Sequence, residues 1–190
     1  MVICCDGMNT WRRDYFPEYK ANRKKHRDTD DSQDWNEVFR VLDLVRTEIK
    51  EYLPYKVIHM EGCEADDIIG ALTLKTQEFG QDEPIMIVSS DKDFVQLQKF
   101  KNVKQFSPMQ KKLVKDKDGN PRTYLFNHIM RGDAGDGIPN VLSDDDTFIT
   151  EKNQSPLRQT RINDWLEKSD NLRECMDDTT YRNYQRNKKL

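Results

Sequence analysis

The segment IMIVSSDKDF, residues Ile85–Phe94, decides how the rest of the chain is interpreted. It begins with an apolar run, and the small polar pair Ser89-Ser90 follows that run. A short apolar run with a polar end is typical of a strand buried on both faces of a parallel sheet. Ligands of open α/β sheets bind beyond the carboxyl ends of the strands. Asp91 and Asp93 therefore stand where a binding site is expected.

This pair of acids allows two interpretations. Carboxylates one residue apart repel each other unless a positive charge lies between them, and a divalent cation bound by oxygen ligands supplies such a charge. Alternatively, Asp91 caps a helix that starts near Phe94. The segment alone does not decide between a metal ligand and a helix cap.

The composition indicates one domain, with room for a small appendage. The chain has 190 residues, of which 35% are hydrophobic and 34% are charged. This balance is polar for a self-contained domain, so either a charged partner covers much of the surface or part of the core is missing. The net charge of -3 hides segregation, because basic residues crowd the first thirty positions and acids form later groups. Such segregation suits a protein that binds both phosphates and cations.

The four cysteines, Cys4, Cys5, Cys63 and Cys175, have no C-x-x-C spacing. They predict neither a zinc site nor a disulfide framework, and they fit reduced thiols in a cytoplasm. No apolar run approaches ~18 residues, so the sequence predicts a soluble protein without an export signal.

Acidic groups recur elsewhere in the chain. Asp6 follows a short predicted strand and precedes a glycine, so it is either a turn residue or a second ligand at a strand end. The segment Glu64–Asp67 opens a helix, where the helix dipole accounts for one or two acids but poorly for three. The segment Gly132–Val141 is rich in glycine and is either a plain turn or a loop whose backbone grips a phosphate or a cation.

Residues 11–27 combine a local charge of 7 − 2 = +5 with four aromatic side chains. Cations bind phosphates without regard to sequence, and aromatic rings stack on unpaired bases. A solvated charged helix is the alternative interpretation. On a helix that starts after Pro17, Lys20 and Arg23 would share one face.

Periodicity and turn signals predict alternating strands and helices, a hairpin over 111–121 with its turn at 118–121, and little core from residues 142–190. The predicted strands are 2–5, 56–60, 85–88 and 102–106. The predicted helices are 35–52, a segment after 64, 94–100, 125–131, 162–172 and 181–189.

Three motifs in order, Glu-Ala-Asp-Asp at 64–67, Ser-Ser-Asp-Lys-Asp-Phe at 89–94 and Gly-Asp-x-Gly-Asp-x-Ile at 132–138, resemble the flap endonuclease or 5′ nuclease family, including its bacteriophage members. The resemblance implies an α/β, PIN-like fold with a mixed, mostly parallel sheet flanked by helices. It implies a nuclease domain over 1–122, with a helical arch at about 11–34. A partial helix-three-turn-helix domain for duplex binding would cover 123–190.

The same resemblance implies a function. The protein would be a Mg²⁺-dependent 5′-3′ exonuclease and flap endonuclease that removes RNA primers and 5′ flaps during DNA replication. Two Mg²⁺ ions, replaceable by Mn²⁺, would act in the site, with K⁺ in the duplex-binding loop. Branched DNA with a 5′ flap and RNA-DNA primer duplexes would be substrates. A phage single-strand binding protein and a sliding clamp would be partners of a monomer without membrane contact, in the bacterial host cytoplasm.

The resemblance also implies residue roles. The implied metal-binding residues are Asp6, Glu64, Asp66, Asp67, Asp91, Asp93, Asp133 and Asp136. The implied catalytic residues of the arch are Tyr19, Lys20 and Arg23. The implied DNA-binding residues are Arg12, Arg13, Lys24, Gly132, Gly135, Gly137 and Ile138.

Two departures from the family qualify this prediction. In the family a strand with a further metal-binding Asp precedes the position of Val2, and the chain continues beyond the position of Leu190. The resemblance therefore predicts a fragment with one ligand fewer and weak or lost activity. The alternatives are a non-catalytic binder of branched DNA, a phosphatase with Asp91 as nucleophile, and a related nuclease of the RNA-cutting toxin class.

Overall fold

The computed structural model describes residues 1–23, 27, 32–78, 83–115 and 119–190. Its elements, in chain order, are β1 (Val2–Cys5), α1 (Trp11–Tyr15), α2 (Trp35–Tyr52), β2 (Lys56–His59), α3 (Ala65–Gln77), β3 (Ile85–Val88), a 3-10 helix (Lys92–Lys99), β4 (Val103–Ser107), β5 (Lys112–Val114), α4 (Pro121–Arg131), α5 (Gln159–Glu167), a second 3-10 helix (Ser169–Asn171), α6 (Leu172–Cys175) and α7 (Asp178–Lys189). No helix in the described ranges is long and apolar enough to cross a membrane. The predicted DNA-binding residue Lys24 and part of the predicted arch lie outside the described residues.

The strands form a mixed, mostly parallel arrangement, as predicted. β1 pairs with β2 in parallel, with Val2 opposite Lys56. β3 pairs with β4 in parallel, with Ile85 opposite Val103, and β5 adds an antiparallel strand to β4. Within the described residues these strands make two separate sheets and not the single sheet that we expected, because no pairing joins β1 to β3.

Helix α3 links the two sheets. It begins with a capping box in which the backbone N–H of Glu64 donates to Asp67 Oδ2 at 2.9 Å. Ile69 packs against the buried core of the second sheet, and the helix also contacts β1. The acids in the first turn of α3 therefore lie close to the ends of strands from both sheets.

The long helix α2 has the predicted bounds, but none of its residues is buried. It contacts β2, while apolar side chains such as Phe39, Leu42 and Val45 stay exposed. Periodicity therefore predicted the helix correctly, although much of its apolar face stays exposed among the described residues.

The C-terminal part contributes much more core than the sequence predicted. Its apolar residues are few, but they recur at helical spacing on α5 to α7 and gather against α4. The buried members of this cluster are Phe126, Ile129, Met130, Val141, Ile162, Trp165, Leu172, Met176 and Tyr184. The expectation of little core from residues 142–190 was wrong, because spacing decides core formation more than apolar content does.

The predicted turn at 118–121 begins outside the described residues, and its last residue belongs to a helix instead. Pro121 opens α4, and Asn120 Oδ1 accepts a hydrogen bond from the backbone N–H of Arg122 at 3.0 Å. Asparagine before proline suits a helix start as well as a turn, because the side chain caps the first amides and proline needs no partner for its nitrogen.

Helix α7 holds the end of the glycine-rich segment through polar side chains that are buried. Asn183 Nδ2 donates to the carbonyl of Val141 at 3.1 Å, and Asn187 Nδ2 donates to that of Pro139 at 2.9 Å. Arg186 donates to the Pro139 carbonyl at 3.0 Å and pairs with Asp145. These bonds satisfy backbone carbonyls that would otherwise be buried without partners.

We expect Asp145→Asn to destabilise the protein by about 2 kcal/mol near pH 7, because it leaves the buried Arg186 without its counter-charge. Burial raises the pKa of Asp145. The hydrogen bond from Arg182 and the charges of both arginines lower it by more than burial raises it, so the pKa lies below its ordinary value. The carboxylate therefore stabilises the fold above about pH 4, and this contribution is lost as the pH falls through the folded pKa.

Urea unfolding at pH 7 and at pH 3 measures this effect. The gap between wild type and Asp145→Asn should shrink at pH 3, and Asp146→Asn, whose side chain makes an exposed pair with Lys152, should change stability by less than about 0.5 kcal/mol. A gap of equal size at both pH values would contradict the assigned charge pair.

Candidate metal centre

Carboxylates from both sheets converge at the start of α3. Asp6 directly follows β1, and its Oδ1 accepts a hydrogen bond from the backbone N–H of Ala65 at 2.7 Å. Gly7 allows this approach, because a Cβ there would lie 1.9 Å from the carbonyl oxygen of Met60. The end of β1 is thereby fixed against the first turn of α3.

Asp66 is the most perturbed acid of this group. Burial raises its pKa first, and the negative charges of Asp91, Asp6, Asp93 and Glu64 raise it further, to about 6. A carboxyl that shares its surroundings with several like charges is typical of a site that a cation neutralises. Hard carboxylate oxygens in such number fit a divalent cation.

Asp91 and Asp93 lie both at the start of the 3-10 helix and at the candidate site. Asp91 Oδ1 accepts from the backbone N–H of Asp93 at 3.0 Å, so Asp91 caps the 3-10 helix. Its charge nevertheless acts on Asp66. The two interpretations of this segment are therefore compatible, because one carboxylate oxygen can cap while the other stays available.

His128 completes a second group of possible metal ligands. Its Nε2 lies 3.3 Å from Asp93 Oδ1 and 3.8 Å from Asp133 Oδ2. One ligand atom from each of the three residues lies within 4.8 Å of the others. The contact with Asp93 and the nearby acids raise the pKa of His128, and His128 in turn lowers the pKa of Asp93.

Sequence reasoning missed His128. It lies in the last turn of α4, directly before the loop that carries Asp133. Its place one helical turn before the acidic loop was the available signal.

Glu64 and Asp67 are occupied by ion pairs. Glu64 is buried, with Lys20 Nζ at 2.6 Å, the Tyr19 hydroxyl at 2.8 Å and an Arg12 nitrogen at 3.1 Å from its oxygens. Asp67 binds Arg12 through both oxygens at 2.8 Å. Although burial alone raises the pKa of Asp67, its bonds with Arg12 hold it below its ordinary value.

Asp136 lies on the same side as these pairs. Its Oδ2 is 3.1 Å from the Tyr19 hydroxyl and 3.7 Å from Lys20 Nζ, and its Oδ1 pairs with Arg23. Burial raises its pKa more than Lys20 and Arg23 lower it. The predicted metal ligands thus divide into those facing other acids and those facing cations. Asp6, Asp66 and Asp91 belong to the first set, whereas Asp93 and Asp133 lie between the two sets because they contact His128.

The basic segment, residues 11–27, contacts the glycine-rich loop through its described part. The backbone N–H of Lys20 donates to the Asp136 carbonyl at 2.7 Å, and Arg23 Nε donates to that of Gly135 at 3.0 Å. Gly137 has a φ of +73°, and a Cβ there would lie 3.1 Å from the Glu18 carbonyl. Glycine at this position therefore allows the backbone of the basic segment to approach the loop closely.

The loop amides are bonded inside the protein. Asp133 Oδ1 accepts from the backbone N–H of Gly135 at 2.7 Å, and the Asp133 carbonyl accepts from that of Ile138 at 2.7 Å. At Gly132, φ is +66° and a Cβ would lie 2.3 Å from the Ile138 carbonyl, so only glycine fits. The DNA-binding role of this loop stays a prediction.

The predicted DNA-binding arginines differ in environment. Arg13 is exposed on α1. Arg12 is largely buried, pairs with Glu64 and Asp67, and donates from Nε to the Leu190 carbonyl at 2.8 Å. Contact of either side chain with DNA stays a prediction.

We expect Asp66→Asn to stabilise the metal-free protein near pH 7. An unfolded aspartate has a pKa of about 3.9, and the folded value is higher, so the folded state loses stability as the pH rises between these values. Removing the charge should restore about 2 kcal/mol at pH 7.

Urea unfolding in EDTA at pH 7 and pH 4 tests this expectation. The advantage of Asp66→Asn should be largest at pH 7 and should shrink at pH 4, while Asp164→Asn on the exposed side of α5 should show no such trend. A variant that is less stable than wild type at pH 7 would contradict the proposed repulsion.

Comparisons with known proteins agree with this geometry. Residues 1–122 match the family model of the 5′-3′ exonuclease, N-terminal resolvase-like domain. The ribonuclease H of Enterobacteria phage T4 is 39% identical over 166 residues, which cover 85% of this chain and 53% of that protein. The chain spans about half the length of the curated relatives it matches.

Two solved structures share the fold. A flap endonuclease of bacteriophage T5, in complex with DNA and metal ions, has a TM-score of 0.64 at 18% identity, over 96% of this chain and 71% of that chain. The T5 5′-exonuclease with bound zinc has a TM-score of 0.62 at 20% identity, over 96% and 72%. The match over residues 1–122, more than half of the chain, shows that the chain belongs to the 5′-3′ exonuclease family.

Proposed function

We propose that this chain carries the catalytic centre of a metal-dependent 5′ nuclease that hydrolyses phosphodiester bonds at 5′ ends and 5′ flaps. The observation that carries the proposal is the convergence of carboxylates on Asp66, whose pKa their charges raise. Such a concentration of negative charge favours bound divalent cations, which can activate a water and stabilise the oxygens of a phosphodiester during its hydrolysis.

The donor set supports Mg²⁺, with Mn²⁺ as a substitute, because the converging ligand atoms are mainly carboxylate oxygens. Asp66, together with the nearby charges of Asp91 and Asp6, would attract one ion, and Asp93 and Asp133 would contribute to a second. When bound, such ions activate a water and stabilise the attacking and leaving oxygens of the phosphodiester. The fold itself positions these carboxylates at strand ends and at the start of α3.

Lys20 and Arg23 would act on the substrate phosphate, and Tyr19 would act on it indirectly through the acids that it contacts. Lys20 Nζ and Arg23 already lie beside Glu64 and Asp136, so their charges sit at the rim of the acidic site. A phosphate that enters would be attracted to these cations and held close to the carboxylate-bound ions. The buried Tyr19 hydroxyl, shared between Glu64 and Asp136, would orient both acids.

We further propose DNA with a 5′ flap and RNA-primed duplex as substrates, in primer and flap removal during DNA replication in a bacterial host cytoplasm. The T5 flap endonuclease solved with DNA supports a DNA substrate. Duplex contact would involve Arg12, Arg13, Lys24 and the Gly132–Val141 loop, with K⁺ as an additional ion there. A single-strand binding protein and a sliding clamp would be the replication partners.

Cleavage of labelled 5′-flap DNA and of an RNA-primed duplex, with Mg²⁺ or EDTA, tests the proposal. We expect metal-dependent product, and at least about a 100-fold lower rate for Asp91→Asn, because that variant loses a ligand charge. Asp164→Asn serves as the matched control and should cleave like wild type.

Metal-independent cleavage, or full activity in Asp91→Asn, would overturn the metal-dependent mechanism. Tight binding of flap DNA without product in any metal would favour a structure-specific DNA-binding protein instead.

Lys20→Ala should slow cleavage at least about 10-fold, because the charge that neutralises the phosphate is lost at the site itself. Duplex affinity should change by less than about 3-fold, since one phosphate contact contributes little to the total. Single-turnover rates and binding titrations on the same flap substrate separate the two effects, with Lys20→Arg as the charge-preserving control. Equal losses in rate and affinity would remove Lys20 from the catalytic group.

A further inference from the structure

His128, Asp93 and Asp133 come together from three different elements. His128 lies in the last turn of α4, Asp93 lies in the 3-10 helix after β3, and Asp133 lies in the glycine-rich loop. The imidazole stacks on Tyr124, one turn earlier on α4, with ring centroids 6.1 Å apart and planes 7° from parallel. This stacking orients the ring, and Nε2 faces both carboxylates.

The spacing suits a single metal ion. Ligands at about 2.0–2.2 Å from one ion are separated from each other by roughly 3–4 Å. The Nε2 of His128 lies 3.3 Å from Asp93 Oδ1 and 3.8 Å from Asp133 Oδ2. All three side chains are about one-third exposed, so an ion can reach them from solvent.

The neighbouring contacts also favour an ion here. Glu64 and Asp67, in the other half of the site, are neutralised by Arg12 and Lys20. Among the described residues, the contacts of Asp93 and Asp133 with a basic group within 4 Å are those with His128. An ion bound to the neutral imidazole would supply more positive charge to these two acids than a protonated imidazole does.

We propose that His128, Asp93 and Asp133 form a nitrogen-containing metal site that takes a borderline transition ion, such as Co²⁺ or Zn²⁺, in preference to Mg²⁺. Imidazole nitrogen suits such ions, whereas Mg²⁺ favours oxygen ligands. The second cation position of the proposed nuclease would then differ from the all-carboxylate position around Asp66. Metal binding at this site does not require that the chain has nuclease activity.

Metal titration of the full chain after EDTA removal tests this proposal. Co²⁺ is followed by calorimetry and by its visible absorption, which reports nitrogen coordination, and Mg²⁺ is titrated in parallel. We expect His128→Ala to weaken Co²⁺ binding at least about 10-fold while Mg²⁺ binding changes less than about 3-fold. His59→Ala, at the exposed end of β2, is the matched control and should bind both ions like wild type.

Side-chain nitrogen NMR with Zn²⁺ keeps the test independent of folding defects in a variant. The Nε2 signal of His128 in the wild-type chain should shift on Zn²⁺ addition, and that of His59 should not, with His128→Gln identifying the signal. An unshifted His128 signal, or equal weakening of Co²⁺ and Mg²⁺ in His128→Ala, would overturn the proposal. Mg²⁺-dependent flap cleavage is measured separately, so its absence would count against the nuclease and not against this site.

Discussion

The fold gathers several carboxylates at the start of α3, and the rest of the structure depends on how the repulsion between them is compensated. The acids of one set, Glu64, Asp67 and Asp136, are compensated by cations from the basic segment. Those around Asp66 face mainly other acids, and the pKa of Asp66 rises as a result. Like charges at such a place cost stability, which proteins commonly accept at functional sites. The uncompensated half is therefore the part of the site that a bound cation would stabilise most.

The polar C-terminal helix supports this arrangement from a distance. Side chains of α7, among them Asn183, Arg186 and Asn187, bind backbone carbonyls in the loop at 139–143. That loop overlaps the end of the glycine-rich segment, and the basic segment is bonded to the same glycine-rich segment at Asp136 and Gly135. A helix that looks solvated in sequence thus has a buried polar face. Its hydrogen bonds hold in place the loop that presents Asp133.

The two halves of the site receive positive charge from different parts of the fold. On one side Arg12, Lys20 and Arg23 come from the N-terminal basic segment. On the other side His128 comes from α4, after the second sheet. Flexible Lys and Arg side chains can turn toward a phosphate, whereas a stacked imidazole has a fixed orientation. The basic segment therefore suits substrate contact, and His128 suits a permanent ligand or counter-charge.

The sequence by itself determined the strands, the helix at 35–52 and the acidic motifs that follow strands or begin helices. Periodicity and strand-end polarity are local properties, so the sequence specifies them directly. It also determined the family, since three motifs in order are specific. Only the tertiary structure decided that Glu64 faces Lys20 while Asp66 faces Asp91, although both acids lie in one motif. It alone revealed His128 and the C-terminal core. These outcomes rest on contacts between residues far apart in the chain, where neither spacing nor composition specifies which side chains meet.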